Sequence, residues 1–315
     1  MKLVFAGTPA VAIPTLDLLA EHHEIASVIT REDSPQGRKK VLTPSPVAAR
    51  AVELDIPTIR ANRLDDLVTA RVAELQPDLG VIVAYGGLVR SPLLETPRLG
   101  WINLHFSLLP RWRGAAPVQW SIMGGDTHGG ATVFQLVAEL DAGPEFARVS
   151  RPIGAHETSG HLLEALSLEG AALTLKVVDE LEAGVARSVE QRGDVTLAPK
   201  ITLEHARIDW ADDAETVFRR IRATTPEPGA FTTVDGLRMK ILQAAPTYDS
   251  AALEPGALHH DGSRVLIGTA TAPLELLRVQ PAGKKAMPAA DWWRGLDARQ
   301  SHSADRSASD RFDTP

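Results

Sequence analysis

Apolar runs short enough for strands alternate with segments of helical spacing through the first two-thirds of the chain. Residues 2–6 read as a strand, Gly7-Thr8-Pro9 as a turn, and the stretch to about Glu21 as a helix. Pro14 either kinks that helix or marks its first turn. A second strand is expected over 25–30, followed by a long loop, and helical patterns near 47–54 and 64–75 lead to an apolar strand over 79–84. A further strand is expected over 100–106, then a helix near 116–123, a strand over 131–137 and a long helix over about 159–183. Nearly continuous apolar strands separated by helices indicate a mostly parallel sheet covered on both faces.

The pattern changes after that helix. Residues 185–202 lapse into a polar stretch, which marks a linker between a domain over 1–184 and a second over 203–300. Residues 212–224 read as one helix, and short strand-like segments follow at 230–234, 238–242, 264–267 and 274–279. The expected fold class is therefore α/β, with a mostly parallel sheet followed by a small β-rich, barrel-like domain. The polar tail 301–315 is expected to be disordered.

Asn103 and His105 lie two residues apart in the strand over 100–106. Side chains at i and i+2 of a strand share a face, so this amide and imidazole can converge on one reacting atom while Leu104 points into packing. Ligands collect at the carboxyl ends of parallel strands. Asp141, after the next strand, is expected at a corresponding edge. A carboxylate near an imidazole favours its charged form and fixes its orientation. An amide can donate to an oxygen that becomes negative in a transition state, a contribution of roughly 3 kcal/mol in comparable sites. Each residue also has an ordinary structural reading: a turn cap for Asn103, a hydrogen-bonded core residue for His105, a turn start for Asp141. Glu139 is a rival carboxylate better suited to solvent.

Composition and missing motifs narrow the chemistry further. The chain has no cysteine, which excludes disulfides and thiolate chemistry. Gly7 alone occupies the first strand-to-helix turn, where dinucleotide binding wants G-x-G-x-x-G. Neither a P-loop nor a G-x-S-x-G elbow occurs, and His156-Glu157 meets its next histidine at His161, one position beyond the zinc-binding spacing. No apolar run reaches membrane-spanning length, and Met1-Lys2-Leu3-Val4-Phe5 opens directly into a strand, so a cytoplasmic protein is expected. A formal net charge of −7 argues against indiscriminate nucleic-acid binding. Yet Arg38-Lys39-Lys40 forms a local basic finger suited to phosphate contact, and Arg38 can also reach a base edge. Arg219, Arg220 and Arg222 along a helix, with Lys284-Lys285 in a turn, are candidates to extend a phosphate track, solvated charge being the ordinary alternative. Trp112 and Trp292-Trp293 read as packing residues.

Several segments, taken in order, closely resemble the methionyl-tRNA formyltransferase family. They are Phe5-Ala6-Gly7-Thr8-Pro9, Gly37-Arg38 with Pro44-Ser45-Pro46-Val47, Val83-Ala84-Tyr85-Gly86 and the run from Asn103 to Pro117. Ala206-Arg207-Ile208-Asp209-Trp210 and Gln280-Pro281-Ala282-Gly283-Lys284-Lys285 complete the set. The Asn-x-His-x-Ser-Leu-Leu-Pro core marks the broader formyltetrahydrofolate-using superfamily, whereas the basic finger and the lysine-bearing C-terminal motif point to its tRNA member. The resemblance implies a Rossmann-like formyltransferase domain and a tRNA-binding, barrel-like C-terminal domain. It implies transfer of a formyl group from 10-formyltetrahydrofolate to the amino group of methionine on initiator tRNA, for translation initiation. Direct transfer needs no metal, and a monomer is expected.

By the same resemblance Asn103, His105 and Asp141 are the catalytic trio. Ser107, Leu108, Leu109 and Pro110 would line the folate site, with Tyr85, Gly86 and Leu88 near the pterin. Arg38, Lys39, Lys40, Arg219, Arg222, Lys284 and Lys285 would meet the tRNA. The chemistry of the residues agrees: a neutral amine attacks the formyl carbon, and Asn103 with protonated His105 stabilises the tetrahedral oxyanion. Three departures from the family pattern stand out, namely Phe106 in place of a small residue, Lys39 in place of a glycine, and the altered loop 139–144. The competing enzyme is another folate-dependent formyltransferase or hydrolase acting on a small amine, a nucleotide precursor, a sugar nucleotide or water. A non-enzymatic tRNA-binding protein is the alternative from another class, and the intact trio speaks against it.

Overall fold

The computed structural model describes residues 1–37, 39–296 and 302–305. The chain forms two compact units: Met1–Pro117, His128–Pro152 and Leu163–Pro199 make the first, and Val118–Thr127, Ile153–Leu162 and the chain from Lys200 onward make the second.

The chain begins with β1 (Lys2–Gly7), α1 (Ile13–His22), β2 (Glu24–Thr30), β3 (Ser34–Gln36), β4 (Val41–Thr43), α2 (Pro46–Glu53) and β5 (Thr58–Arg60). Then come α3 (Asp66–Leu75), β6 (Leu79–Val83), β7 (Trp101–His105), β8 (Arg113–Gly114), α4 (Pro117–Met123), β9 (His128–Gln135), β10 (Glu145–Pro152), α5 (Ser159–Glu182) and β11 (Leu197–Ala198). Pro14 sits in the first turn of α1, where its missing N–H removes no helical bond. Ser45 and Asp65 cap α2 and α3 by accepting from the Ala48 and Val68 amides, each at 3.0 Å. Caps of this kind contribute about 1 kcal/mol each.

The main sheet has the order β10-β9-β7-β6-β1-β2-β5. Every neighbour from β5 to β7 is parallel. β9 then runs antiparallel to β7, and β10 antiparallel to β9. This reversal corrects the expected position of Asp141. Gln135, at the end of β9, pairs with Ile102, three residues before His105 on β7 and so about 10 Å short of it. The end of β9 is therefore not at the carboxyl edge, and the loop after it has to carry Asp141 back. β10 escaped prediction because an edge strand with one open face, here alternating from Arg148 through Pro152, lacks the apolar continuity of a central strand.

The segments flanking the basic finger, expected as a long loop, pair as strands: β3 and β4 run antiparallel from Ser34↔Thr43 to Gln36↔Val41. Gly37 turns with φ 67°, and Lys40 donates its amide to the Gly37 carbonyl at 3.2 Å. The polar segment expected as a linker carries β11, which pairs with β8, and its residues up to Pro199 group with the first unit.

In the second unit α6 (Leu203–Ala206) and α7 (Ala214–Ala223) precede β12 (Phe231–Val234), β13 (Leu237–Pro246), β14 (Leu258–His260), β15 (Val265–Ile267), β16 (Leu274–Pro281), β17 (Met287–Pro288) and α8 (Ala289–Arg294). The strands form an antiparallel sheet in the order β12-β13-β16-β15-β14, with β17 on β16. Val217, Phe218 and Ile221 of α7 pack with Trp210, Ile241, Ile267 and Leu276 in one core. Trp292 and Trp293 pack against this core, as the sequence suggests. Disorder from residue 301 onward does not hold at 302–305. There Ala304 bridges Val234, Ser303 bridges Ala257, and the His302 ring lies 2.5 Å from the Asp235 carboxylate. These contacts give a short polar segment the backbone partners that composition cannot reveal. Residues 301 and 306–315 lie outside the described residues.

Candidate active site

Trp101, Asn103 and His105 share one face of β7, and that face changes character along the strand. At its start the Trp101 indole is fully buried over Gly80 of β6, where an added Cβ would lie 2.1 Å from the ring. Its Nε1 donates to the Leu93 carbonyl at 2.8 Å. The apolar layer that includes Val68, Val72 and Leu93 covers this end. Leu104, on the opposite face, packs on α5 at Gly170, where a Cβ would meet its side chain at 2.8 Å. Asn103 is half-buried, and its side-chain amide has no hydrogen-bond partner among the described residues.

His105 is 6% exposed and Asp141 is 7% exposed. The two approach to 3.8 Å between Nδ1 and Oδ2. That distance suits an ion pair and is too long for a hydrogen bond. The other ring nitrogen, Nε2, lies 2.9 Å from the Trp112 carbonyl. Nε2 therefore donates to that carbonyl, and Nδ1 faces the carboxylate without a hydrogen bond to it. With Nε2 engaged, Nδ1 is the nitrogen free to turn to a reacting group.

The carboxylate is held by the chain after the motif. The Gly114 amide donates to Asp141 Oδ2 at 2.8 Å. Gly114 adopts φ 126°, and a Cβ there would sit 2.7 Å from the Ala198 carbonyl of β11. Only glycine suits that backbone and that approach. Asp141 itself takes the left-handed conformation, φ 48°, which costs a non-glycine residue roughly 1 kcal/mol. Gly143 returns so close to β9 that a Cβ would meet the Gln135 carbonyl at 1.7 Å.

Three residues absent from the expected set complete this network. Gln191 donates to the carbonyls of Asp141 at 2.8 Å and Gly143 at 2.9 Å. Its own carbonyl accepts from Arg113 Nη2 at 2.7 Å and Nε at 3.2 Å. Thr196 accepts the Trp112 amide at 2.9 Å through its hydroxyl and the Arg113 amide at 2.9 Å through its carbonyl. The alternation Val195-Thr196-Leu197-Ala198 was the one available signal that this stretch is more than a connector. Glu139, the rival carboxylate, is exposed and faces Arg113 at 3.3 Å.

The expected folate residues fall in two neighbourhoods. The Ser107 hydroxyl donates to the Arg111 carbonyl at 2.6 Å, and Thr132 of β9 donates to the Ser107 carbonyl at 2.7 Å. Leu109 and Pro110 are buried, and Leu108 packs on Gly130. Phe106 is buried as well. At the other edge Thr8 and Arg31 hold the Tyr85 carbonyl at 3.1 and 3.4 Å, and Arg31 also reaches the Gly86 carbonyl. Burial pushes the Tyr85 phenol above its usual range, so it stays a neutral donor, to the Ala61 carbonyl at 2.7 Å. Gly86 and Leu88 are exposed.

Of the expected cationic residues, Arg38 lies outside the described residues, and Lys39, Lys40, Lys284 and Lys285 are exposed. Arg219 lies 3.9 Å from Glu215 on α7. Arg222 is committed within the second unit: it stacks on Phe218 at 4.9 Å and donates to the carbonyls of Gly154 and Glu157 at 3.4 and 3.3 Å. Burial lowers its guanidinium below the ordinary arginine value.

Comparison with solved structures defines the class first. An N-formyltransferase from Helicobacter canadensis, in complex with folinic acid and dTDP-3-aminofucose, superposes with TM-score 0.68 at 17% identity over 88% of this chain and 98% of that one. HypX from Aquifex aeolicus, in complex with tetrahydrofolic acid, gives TM-score 0.63 at 19% identity over 92% of this chain and 46% of its own. The fold is that of the formyltransferases. Sequence then settles membership: the formyl transferase model matches residues 1–178 and the formyl transferase C-terminal domain model matches residues 200–297. A methionyl-tRNA formyltransferase from Clavibacter sepedonicus is 60% identical over 95% of this chain and 98% of its own length. The chain belongs to the formyl transferase family and is a formyl-transferring enzyme. No described helix is long and apolar enough to cross a membrane.

Proposed function

We propose that this enzyme transfers the formyl group of 10-formyltetrahydrofolate to the amino group of methionine on initiator tRNA, with Asn103, His105 and Asp141 as the catalytic residues. The reading is carried by the meeting of His105 and Asp141 at 3.8 Å, with Asn103, whose amide has no partner among the described residues, two positions earlier on the same face of β7. Folates in the two structural relatives and the 60% identical methionyl-tRNA formyltransferase support the donor and the acceptor.

The amine nitrogen attacks the formyl carbon, and the carbonyl oxygen becomes an oxyanion. Asn103 donates to that oxygen through its free N–H, and the imidazolium of His105 supplies charge through Nδ1. Donors aimed at such an oxygen typically contribute about 3 kcal/mol each. Asp141 faces the ring and orients it, and being buried it loses little of its field to solvent. Collapse breaks the bond to N10 of the folate. One proton leaves the attacking nitrogen and one arrives at N10, so the ring and carboxylate end as they began. The Ser107–Pro110 turn and the Tyr85–Leu88 edge bind the folate. Exposed Lys39 and Lys40, with Arg38, offer tRNA contacts on the first unit, and exposed Lys284 and Lys285, with Arg219, offer them on the second.

Transfer of labelled formyl from 10-formyltetrahydrofolate to methionyl initiator tRNA, to methionine alone and to an amino-sugar nucleotide checks the proposal. Label is expected on the charged tRNA alone, and label on a small amine but not on tRNA would overturn it. In the same assay Asp141→Asn is expected to lower kcat about 1,000-fold.

A further inference from the structure

We infer that Gln191 is a positioning residue for formyl transfer, acting through the backbone that presents Asp141 to His105. The inference rests on the catalytic role proposed for Asp141 and adds to it a residue from a part of the chain that reads as a connector.

Among residues 187–200 only Gln191, Thr196 and Ala198 are turned away from solvent, and each meets β8 or the Asp141 loop. Gln191 uses its whole hydrogen-bonding capacity there. Its two N–H groups go to the carbonyls of Asp141 and Gly143, and its carbonyl takes two donors from Arg113. The amide therefore ties the loop that carries the carboxylate to the strand whose Gly114 amide binds the same carboxylate. Val189 anchors the segment on its other side through a bridge to Glu145, with bonds of 2.8 and 2.9 Å.

A tie is needed because Asp141 sits in a conformation its side chain disfavours. The Gly114 bond holds the carboxylate, but among the described residues only Gln191 holds the carbonyl on the same residue. Without it the peptide after Asp141 is free to rotate, and the 3.8 Å approach to His105 widens. The donor set is specific to an amide. A carboxylate of the same shape still accepts from Arg113 but turns an anion on two carbonyl oxygens.

Gln191→Glu and Gln191→Met in the full-length enzyme test the inference, alongside Asp141→Asn. Glutamate keeps the Arg113 contact, and methionine keeps the volume. Both are expected to lower kcat at least about tenfold, since small misplacement of a catalytic group costs up to about 100-fold. KM for the charged tRNA and for the donor should stay within about threefold, the signature of an interaction used in the transition state. Titration with 5-formyltetrahydrofolate should still show one site per chain at unchanged affinity, which separates mispositioning from loss of folded enzyme. Gln191→Glu with kcat within about threefold of wild type overturns the inference, as does a fall in kcat matched by an equal loss of folate sites. If Asp141→Asn is itself fully active, the catalytic reading fails. If Asp141→Asn is inactive and Gln191→Glu is active, only the role of Gln191 fails.

Discussion

Asp141 and the lysine pair Lys284-Lys285 represent opposite ways of using charge in this molecule. Asp141 is buried, takes a disfavoured backbone conformation, and is held by Gly114 and Gln191, residues drawn from two other segments of the first unit. The lysines are exposed on a turn of the second unit that its own residues close. Lys284 donates its amide to Pro281 at 3.0 Å, and Gln280 reaches the Lys284 carbonyl at 3.1 Å. A carboxylate that must face one ring nitrogen needs distant segments to fix it, because a small displacement is costly. A group that meets a polyanion needs only to be presented, because phosphate attraction tolerates changes of angle.

That contrast can be broken at several points. Beside the loss expected for Asp141→Asn, the largest effect falls at Asn103. Asn103→Ala should lower kcat by about 100- to 1,000-fold with little change in KM, the loss typical of one oxyanion donor. Steady-state kinetics on charged tRNA measures it, and a purely raised KM would move Asn103 from chemistry to binding. Next is Gly114→Ala, which forces a side chain into φ 126° and against the Ala198 carbonyl. The expected cost is about 2 kcal/mol, read as a lower Tm together with reduced kcat. An unchanged Tm would show that β8 shifts without penalty and that the carboxylate is held less tightly than its geometry implies. The smallest effect belongs to Lys284→Ala and Lys285→Ala. Each should make the salt dependence of tRNA binding shallower by about one and leave turnover of bound tRNA unchanged. A loss of kcat on saturating tRNA would place these lysines in the site and erase the contrast.

The two halves of the candidate site were not equally legible. Asn103 and His105 could be read directly because a strand repeats every two residues, so their shared face needs only local geometry. The identity of Asp141 was also legible, but its route was not. Apolar continuity does not distinguish a parallel from an antiparallel strand; β9 reverses, and the fold of the loop returns the carboxylate to His105. Gln191 escaped because a polar residue in a polar stretch has no periodic signature, and its four hydrogen bonds join it to residues some fifty to eighty positions away. Arg222 shows the reverse error. Its spacing on α7 suggested a free cation, yet its guanidinium is spent on carbonyls of the second unit.

By itself, the sequence determined the alternation of strand and helix, the change to a β-rich second unit, and the pair of polar side chains on β7. These follow from short-range periodicity and from residue types that leave few chemical choices. Tertiary structure alone decided that β3 and β4 pair beside the finger, that the apparent linker packs on the first unit, and by what route Asp141 reaches the imidazole. Those outcomes depend on strand direction and on backbone partners far along the chain, and neither is written in the spacing of apolar residues.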